Sequence, residues 1–207
     1  MGRTGERGLS GQGVSAGAGF RSSRVTGSDE LRLLALVRTG DRRAFEELYK
    51  LYHPRLTRFL FNLVRRPTMV EDVLNETMMV VWERADTFSG ASRLSTWIFA
   101  IAFRKAMKAL RRQDDAIDDP DSDQRVSSEP SPEDEFGQNR RHQLLMKAID
   151  ELSPSHRAVV DLTYFHEIGY REIASILDCP VDTVKTRMFH ARRHLRRILE
   201  GELPDWI

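Results

Sequence analysis

Residues 170–195 read YREIASILDCPVDTVKTRMFHARRHL, and the break in the middle decides how this part of the chain folds. YREIASIL has helical periodicity, Asp178, Cys179 and Pro180 supply a tight turn, and a second helical pattern follows, expected to be short. Upstream, Gly169 parts this pair from an earlier helix, whose start is marked by Ser153 and Pro154 as N-cap and first helical residue. Two helices joined by a turn of about three or four residues form the pattern of a DNA-binding helix-turn-helix.

The second helix tests that reading. With Val184, Met188, Ala191 and Leu195 on the core side, the opposite face carries Asp182, Thr186, Phe189 and Arg193, flanked by Lys185, His190, Arg192 and Arg196. Residues 182–197 hold six Lys or Arg and a single acid, so the face suits a polyanion. A major groove accepts one helix, whose Arg or Lys reach guanine edges while neighbours neutralise phosphates. A basic surface helix without a ligand is the bland alternative, but turn and charge point to DNA independently. His190 and His194 have the spacing of a metal pair without an evident third ligand, so no metal is expected. Cys179 reads as a small packing residue.

Residues 94–112, LSTWIFAIAFRKAMKALRR, begin apolar and end basic. The apolar run from Trp97 to Phe103 is far short of the ~20 residues that cross a bilayer. On a helical wheel, with Ser95 as N-cap, Phe99, Ala102, Phe103, Ala106, Met107 and Leu110 share a packing face. Trp97, Ile101, Arg104, Lys108, Arg111 and Arg112 share the other, with Lys105 at its edge. A core helix with a basic solvated face would show the same charges. No acid interrupts the stripe, however, and an indole heads it, which is the usual platform for unstacked bases along a charged groove. In the preceding helix, MVEDVLNETMMVVWERADTF, Val70, Val73, Leu74, Thr77, Met78 and Val81 form the packing face, leaving Glu71, Asp72, Asn75, Glu76 and Glu83 pointing elsewhere. That is either a solvated acidic face or a docking surface for a protein partner.

Around these segments the 207-residue chain divides by composition. Its net charge of only +1 conceals a segregation of acid from base. Residues 1–27, with eight of the thirteen glycines, read as a disordered tail, and 28–113 as a first helical domain with boundaries at Gly40, Asp41 and Pro67. Residues 114–137 read as a flexible linker, since positions 114–135 carry ten acids, three prolines and one arginine. Residues 138–203 form a second helical domain. The expected fold class is therefore all-α, two small helical domains on an acidic tether. One cysteine excludes an internal disulfide framework and fits a reducing compartment, and no secretory signal or membrane span is expected. No Gly-rich phosphate loop, nucleophile triad or pair of catalytic carboxylates is present, so neither enzyme activity, catalytic residues nor a cofactor is expected.

Taken in order, the acidic helix, the loop, STWIFAIAFRKAMKALRR, the linker and LSPSHRAVVDLTYFHEIGYREIASILDCPVDTVKTRMFHARRHL resemble an extracytoplasmic-function (ECF) sigma factor of the bacterial sigma-70 family. The resemblance covers about residues 30–112 and 139–200. It implies a non-catalytic subunit that binds core RNA polymerase, recognises the −10 and −35 promoter elements and promotes DNA melting, in a bacterial cytoplasm and at the nucleoid through the polymerase. It implies polymerase contacts at Glu71, Asp72, Asn75, Glu76 and Trp82. The loop at 89–93 and the helix after it would engage the melted −10 element through Ser92, Arg93, Trp97, Arg104, Lys105 and Lys108, with Arg111 and Arg112 beyond. The −35 duplex would be read by Arg171, Asp182, Thr183, Lys185 and Thr186, together with Arg187, Phe189, His190 and Arg193. An anti-sigma factor is an implied partner. The linker would thread the polymerase cleft, either as an RNA mimic or as a solubilising tether. Asn75 stands where another acid is expected, and Asp178 where family members often have glycine. A helix-turn-helix regulator acting on duplex DNA without polymerase is the alternative; it explains residues 150–200 and leaves the tryptophan-led basic helix unexplained.

Overall fold

The computed structural model describes residues 27–117 and 138–202; the tail call on 1–27 lies almost wholly outside them, and so does the linker call beyond residue 117. The described residues are helical throughout, with no strand among them. In chain order the helices are α1 (Gly27–Arg38), α2 (Arg42–Val64), α3 (Pro67–Glu83), α4 (Leu94–Ile117), α5 (Gln138–Asp150), α6 (Pro154–Tyr164), α7 (Tyr170–Leu177) and α8 (Val181–Glu202).

Boundaries follow local chemistry. Gly40 takes a positive φ of 83° between α1 and α2, and the Asp41 carboxylate caps α2 by accepting from the Arg43 and Ala44 amides. Pro67 opens α3, where its missing N–H costs nothing. Gly169 and the left-handed Asp178 (φ 51°) bracket α7, so aspartate fills the turn position usually given to glycine. Three details differ from expectation. Helix α4 starts at Leu94, with the Trp97 amide donating to the Arg93 carbonyl, so Ser95 lies inside the helix instead of capping it. Ser153 sits at the N-cap of α6, yet its hydroxyl pairs with His156 Nδ1 at 2.6 Å and not with the backbone. The second helix of the helix-turn-helix pattern is long, not short: α8 continues to Glu202, and no Pro or Gly interrupts it before Gly201.

The first four helices close around Leu48, Tyr52, Leu56, Phe59, Leu74 and Phe99, all fully buried. The buried face of α3 is Val70, Val73, Leu74, Thr77, Met78 and Val81, as its periodicity predicts. Two polar ties fix α1 to this bundle. The Tyr52 hydroxyl donates to Glu30 at 2.9 Å; burial, reinforced by the Glu30 charge, pushes its pKa above the ordinary phenol range. The Arg38 guanidinium donates to the Ala85 and Phe88 carbonyls at 2.9 and 2.6 Å, anchoring the short 3₁₀ turn (Ala85–Thr87) and the start of the loop before α4. The second half is built on Val159, Leu162, Ile173, Ile176 and Val184, and its core is continuous with the first. Helix α4 packs on α7, and α2 on α6.

Candidate nucleic-acid interface

Helix α4 carries its charges on the side left open by α3 and α7. Arg104 and Lys108 are exposed, Lys105 is half-buried, and Trp97 is half-buried with its ring tilted against Phe88 at 5.6 Å between centroids. These four residues, with Val80, Arg84, Thr87 and Ile101, line a cleft of about 460 Å³. Its floor is apolar and its walls carry Arg84, Arg104, Lys105 and Lys108, an arrangement that can stack a base and neutralise flanking phosphates. Ile101, expected beside the cations, is only 5% exposed. The wheel assumed one packing face, whereas α4 is wedged between neighbours and buries a wider arc, including Ile98.

Lys105 is not a free cation: its Nζ lies 2.8 Å from Glu76 Oε2. That hydrogen bond, together with the positive charges of Lys105, Arg112 and Lys108, holds the Glu76 carboxyl below its usual range. Both partners are substantially exposed, so the pair contributes little to stability. Arg111 and Arg112 are exposed further along α4. In the preceding loop Gly90 adopts a φ of 77°, and Ser92 and Arg93 are exposed, with Arg93 Nε 3.2 Å from Glu172 Oε1 on α7. Arg84 escaped the sequence reading because it lies in the α3–α4 connection; only its place in a basic, apolar-floored cleft identifies it.

On α3, Glu71, Asp72, Asn75 and Glu76 are all exposed, and Asn75 Oδ1 accepts from the Tyr49 hydroxyl at 3.3 Å. Trp82 is half-buried, edge-on to Phe45 at 5.2 Å, so its indole presents only part of its surface. Met79, 55% exposed among these polar groups, is an apolar point that the sequence reading passed over.

On the helix-turn-helix, Val184, Met188 and Ala191 are buried as expected. Asp182, Lys185, Thr186, Phe189, His190 and Arg193 are exposed together, Phe189 at 61%. Arg171, at the start of α7, is exposed as well. Thr183 and Arg187 are half-buried; the Arg187 guanidinium sits 3.6 Å from Cys179 Sγ and braces the turn. Lys185 rests 2.9 Å from Asp182, a solvent-exposed pair that DNA phosphate can displace. Behind this face His156 is held below the ordinary histidine range, first by burial and then by the charges of Arg187, His190 and His194. His194 Nε2 lies 3.3 Å from Glu151, and no group of three or more His, Cys, Asp or Glu among the described residues is arranged to hold a metal.

The sequence profile described as Sigma-70 region 2 matches residues 48–116, and that described as Sigma-70, region 4 matches 142–195. The first contains α3, α4 and the cleft; the second contains the helix-turn-helix. The chain belongs to the ECF sigma factors of the sigma-70 family. Among its relatives, the ECF RNA polymerase sigma factor RpoE of Cereibacter sphaeroides is 29% identical over 180 residues, spanning 82% of this chain and 96% of that protein. The RNA polymerase sigma-H factor of Pseudomonas aeruginosa is 26% identical over 191 residues, 87% and 99% of the two chains. The structure is similar to the sigma factor RpoE from Bartonella quintana in complex with the anti-sigma factor NepR, with a TM-score of 0.63, 26% identity, and coverage of 75% of this chain and 96% of that one. The fold is also that of CnrH in its complex with the cytosolic domain of CnrY (TM-score 0.59, 22% identity, 84% and 98% covered).

This ECF sigma factor is thus an RNA polymerase subunit for promoter recognition, from a family whose members regulate transcription without catalysis of their own. A helix-turn-helix regulator independent of polymerase does not account for the region 2 match. No helix among the described residues is long and apolar enough to cross a membrane.

Proposed function

We propose that promoter recognition is divided among three surfaces. The exposed Glu71, Asp72, Asn75 and Glu76 of α3, with the uncovered part of Trp82, dock on core RNA polymerase. Ser92 and Arg93 of the loop, the Trp97 cleft and the α4 cations receive the melted −10 strand. Arg171 and the α8 face from Asp182 to Arg193 enter the −35 major groove, with Arg187 supporting the turn from behind. In this assignment residues 28–113 serve the polymerase and the −10 element, 114–137 connect, and 138–203 serve the −35 element. The protein acts where the polymerase does, in a bacterial cytoplasm and on the nucleoid.

The observation that carries the reading is the cleft. Capturing a flipped base costs a few kcal/mol, and about 1–3 kcal/mol per base returns through stacking on an aromatic ring. Trp97 offers such a ring with four cations around it, and duplex DNA has no use for it. The NepR complex of the similar Bartonella sigma factor supports an anti-sigma protein as the controlling partner here too. The test is assembly: Asp72→Lys should abolish co-elution with core polymerase while leaving the helical circular-dichroism spectrum intact. Normal co-elution of that variant would remove α3 from the docking surface.

A further inference from the structure

Helix α8 continues past the face assigned to the −35 groove, and its later turns are basic as well. Residues 190–197 read HARRHLRR, with four arginines and no acid. Thr186, His190, Arg193 and Arg197 follow one another at spacings of four, three and four, so they form one stripe along the helix. His190, Arg193, Arg196 and Arg197 are exposed and, with the half-buried His194, line a concavity of about 510 Å³. Arg192 takes no part in it. Its Nε donates to the Tyr164 hydroxyl at 3.0 Å and its guanidinium lies 5.7 Å from the Tyr164 ring centroid, which turns it toward α6.

The concavity is organised from behind. Arg197 Nη2 lies 3.4 Å from His194 Nδ1, and His194 Nε2 lies 3.3 Å from Glu151 Oε2 at the end of α5. A guanidinium can only donate, so Nδ1 is the acceptor and the ring proton sits on Nε2, facing the carboxylate. The chain Glu151–His194–Arg197 thus steers an arginine that would otherwise sample many rotamers. A cation ordered in advance gives up less entropy when it takes a ligand.

Spacing identifies the ligand. At 1.5 Å per residue Arg197 lies about 16 Å along the axis from Thr186, whereas the major groove is about 12 Å wide. A helix whose first turns touch base edges therefore carries Arg196 and Arg197 past the edge of the groove, to the level of the sugar–phosphate strand. Resting on the −35 reading above, we propose that Arg196 and Arg197 clamp a backbone phosphate of that duplex, with His194 and Glu151 as positioning residues for Arg197. The clamp reads no base. It fixes the register in which the preceding turns meet base edges and raises affinity for every sequence alike.

The experiment measures binding of reconstituted holoenzyme, in the cold so that the duplex stays closed, to two fluorescein-labelled duplexes of equal length. One is a fragment that yields a run-off transcript and the other has random sequence; both are titrated between about 50 and 200 mM salt. Arg197→Gln and Arg196→Gln should each weaken both duplexes about five- to tenfold at 0.1 M salt and make the log–log salt slope shallower by about 0.9 for the phosphate lost, leaving the preference between duplexes unchanged. His194→Ala should reproduce part of that loss in the wild-type chain and none of it in the Arg197→Gln background. An unchanged slope in both arginine variants would overturn the clamp, and a lost preference for the promoter fragment would overturn it equally by making them base readers. Equal losses from His194→Ala in the two backgrounds would overturn the positioning role. Lys185→Ala with Phe189→Ala, on the base-reading face, should lower the preference. If it does not, while the arginine variants still flatten the slope, the −35 reading has failed and the phosphate contact has not.

Discussion

Replacing Trp97 with alanine separates the two jobs assigned to α4. The indole is half-buried and packs on Phe88. Truncating a fully buried aromatic costs about 3–5 kcal/mol, so a half-buried one should cost about 2 kcal/mol, which a domain with the usual margin of about 5–15 kcal/mol survives. Losing one stacked base removes about 1–3 kcal/mol from the melted complex. At 1.4 kcal/mol per tenfold, that is about a 5- to 140-fold drop in open complex. The assay uses reconstituted holoenzyme: permanganate reactivity of promoter thymines for opening, and band shift in the cold for the closed complex. Opening should fall by that factor while closed-complex formation changes less than about twofold, since no unstacked base is present at that stage. Trp97→Phe, which keeps a π-face and the packing on Phe88, should recover most of the opening. Equal loss of both steps, with no recovery by phenylalanine, would mean that Trp97 is core packing alone.

Arg84→Ala should weaken binding of a single-stranded −10 oligonucleotide to holoenzyme and make the log–log salt slope shallower by about 0.7, the value for one phosphate on single strands; an unchanged slope would remove Arg84 from the cleft's function. Arg38→Ala, by releasing the two carbonyls through which Arg38 anchors the 3₁₀ turn and the start of the loop before α4, should cost about 1.5–3 kcal/mol of stability and reduce promoter opening without altering polymerase affinity. For His156 the sign follows from its lowered pKa: below about pH 6.5 the unfolded chain protonates first, so stability should fall as pH drops toward the folded value. His156→Gln should flatten that part of a stability-versus-pH profile measured by urea unfolding, and a slope equal to wild type would contradict the assignment.

Much of this architecture was readable because helices announce themselves locally. The α3 packing face, the Asp178 turn and the Val184–Met188–Ala191 seam follow from spacing that needs no knowledge of a neighbour. The basic face of α8 was legible for the same reason, being one helix with one basic side. What escaped depends on a second element. Ile101 looks solvent-facing on a wheel until α4 is seen wedged between α3 and α7. Arg84 joins the cleft only because the connection after α3 folds back beside Trp97. Arg38 shows its purpose only through carbonyls about fifty residues away in sequence. The contact between the halves could not be read at all. Its residues are scattered over helix surfaces and the ends of α2 and α6, with no periodicity to mark them, and an acidic stretch between the halves suggested independence. The energies that hold them together arise across the boundary, at Asn62 and Asp161, and at His166 between the two phenylalanine rings.

Run-off transcription with purified core polymerase, on fragments of the source genome, tests the central claim most directly. Core enzyme alone should give only background, and adding this chain should produce discrete transcripts whose start sites share upstream elements near −10 and −35. If the chain binds duplex fragments without polymerase, yet neither associates with core enzyme nor yields a transcript from any fragment, the assignment of this protein as a promoter-recognition subunit is wrong.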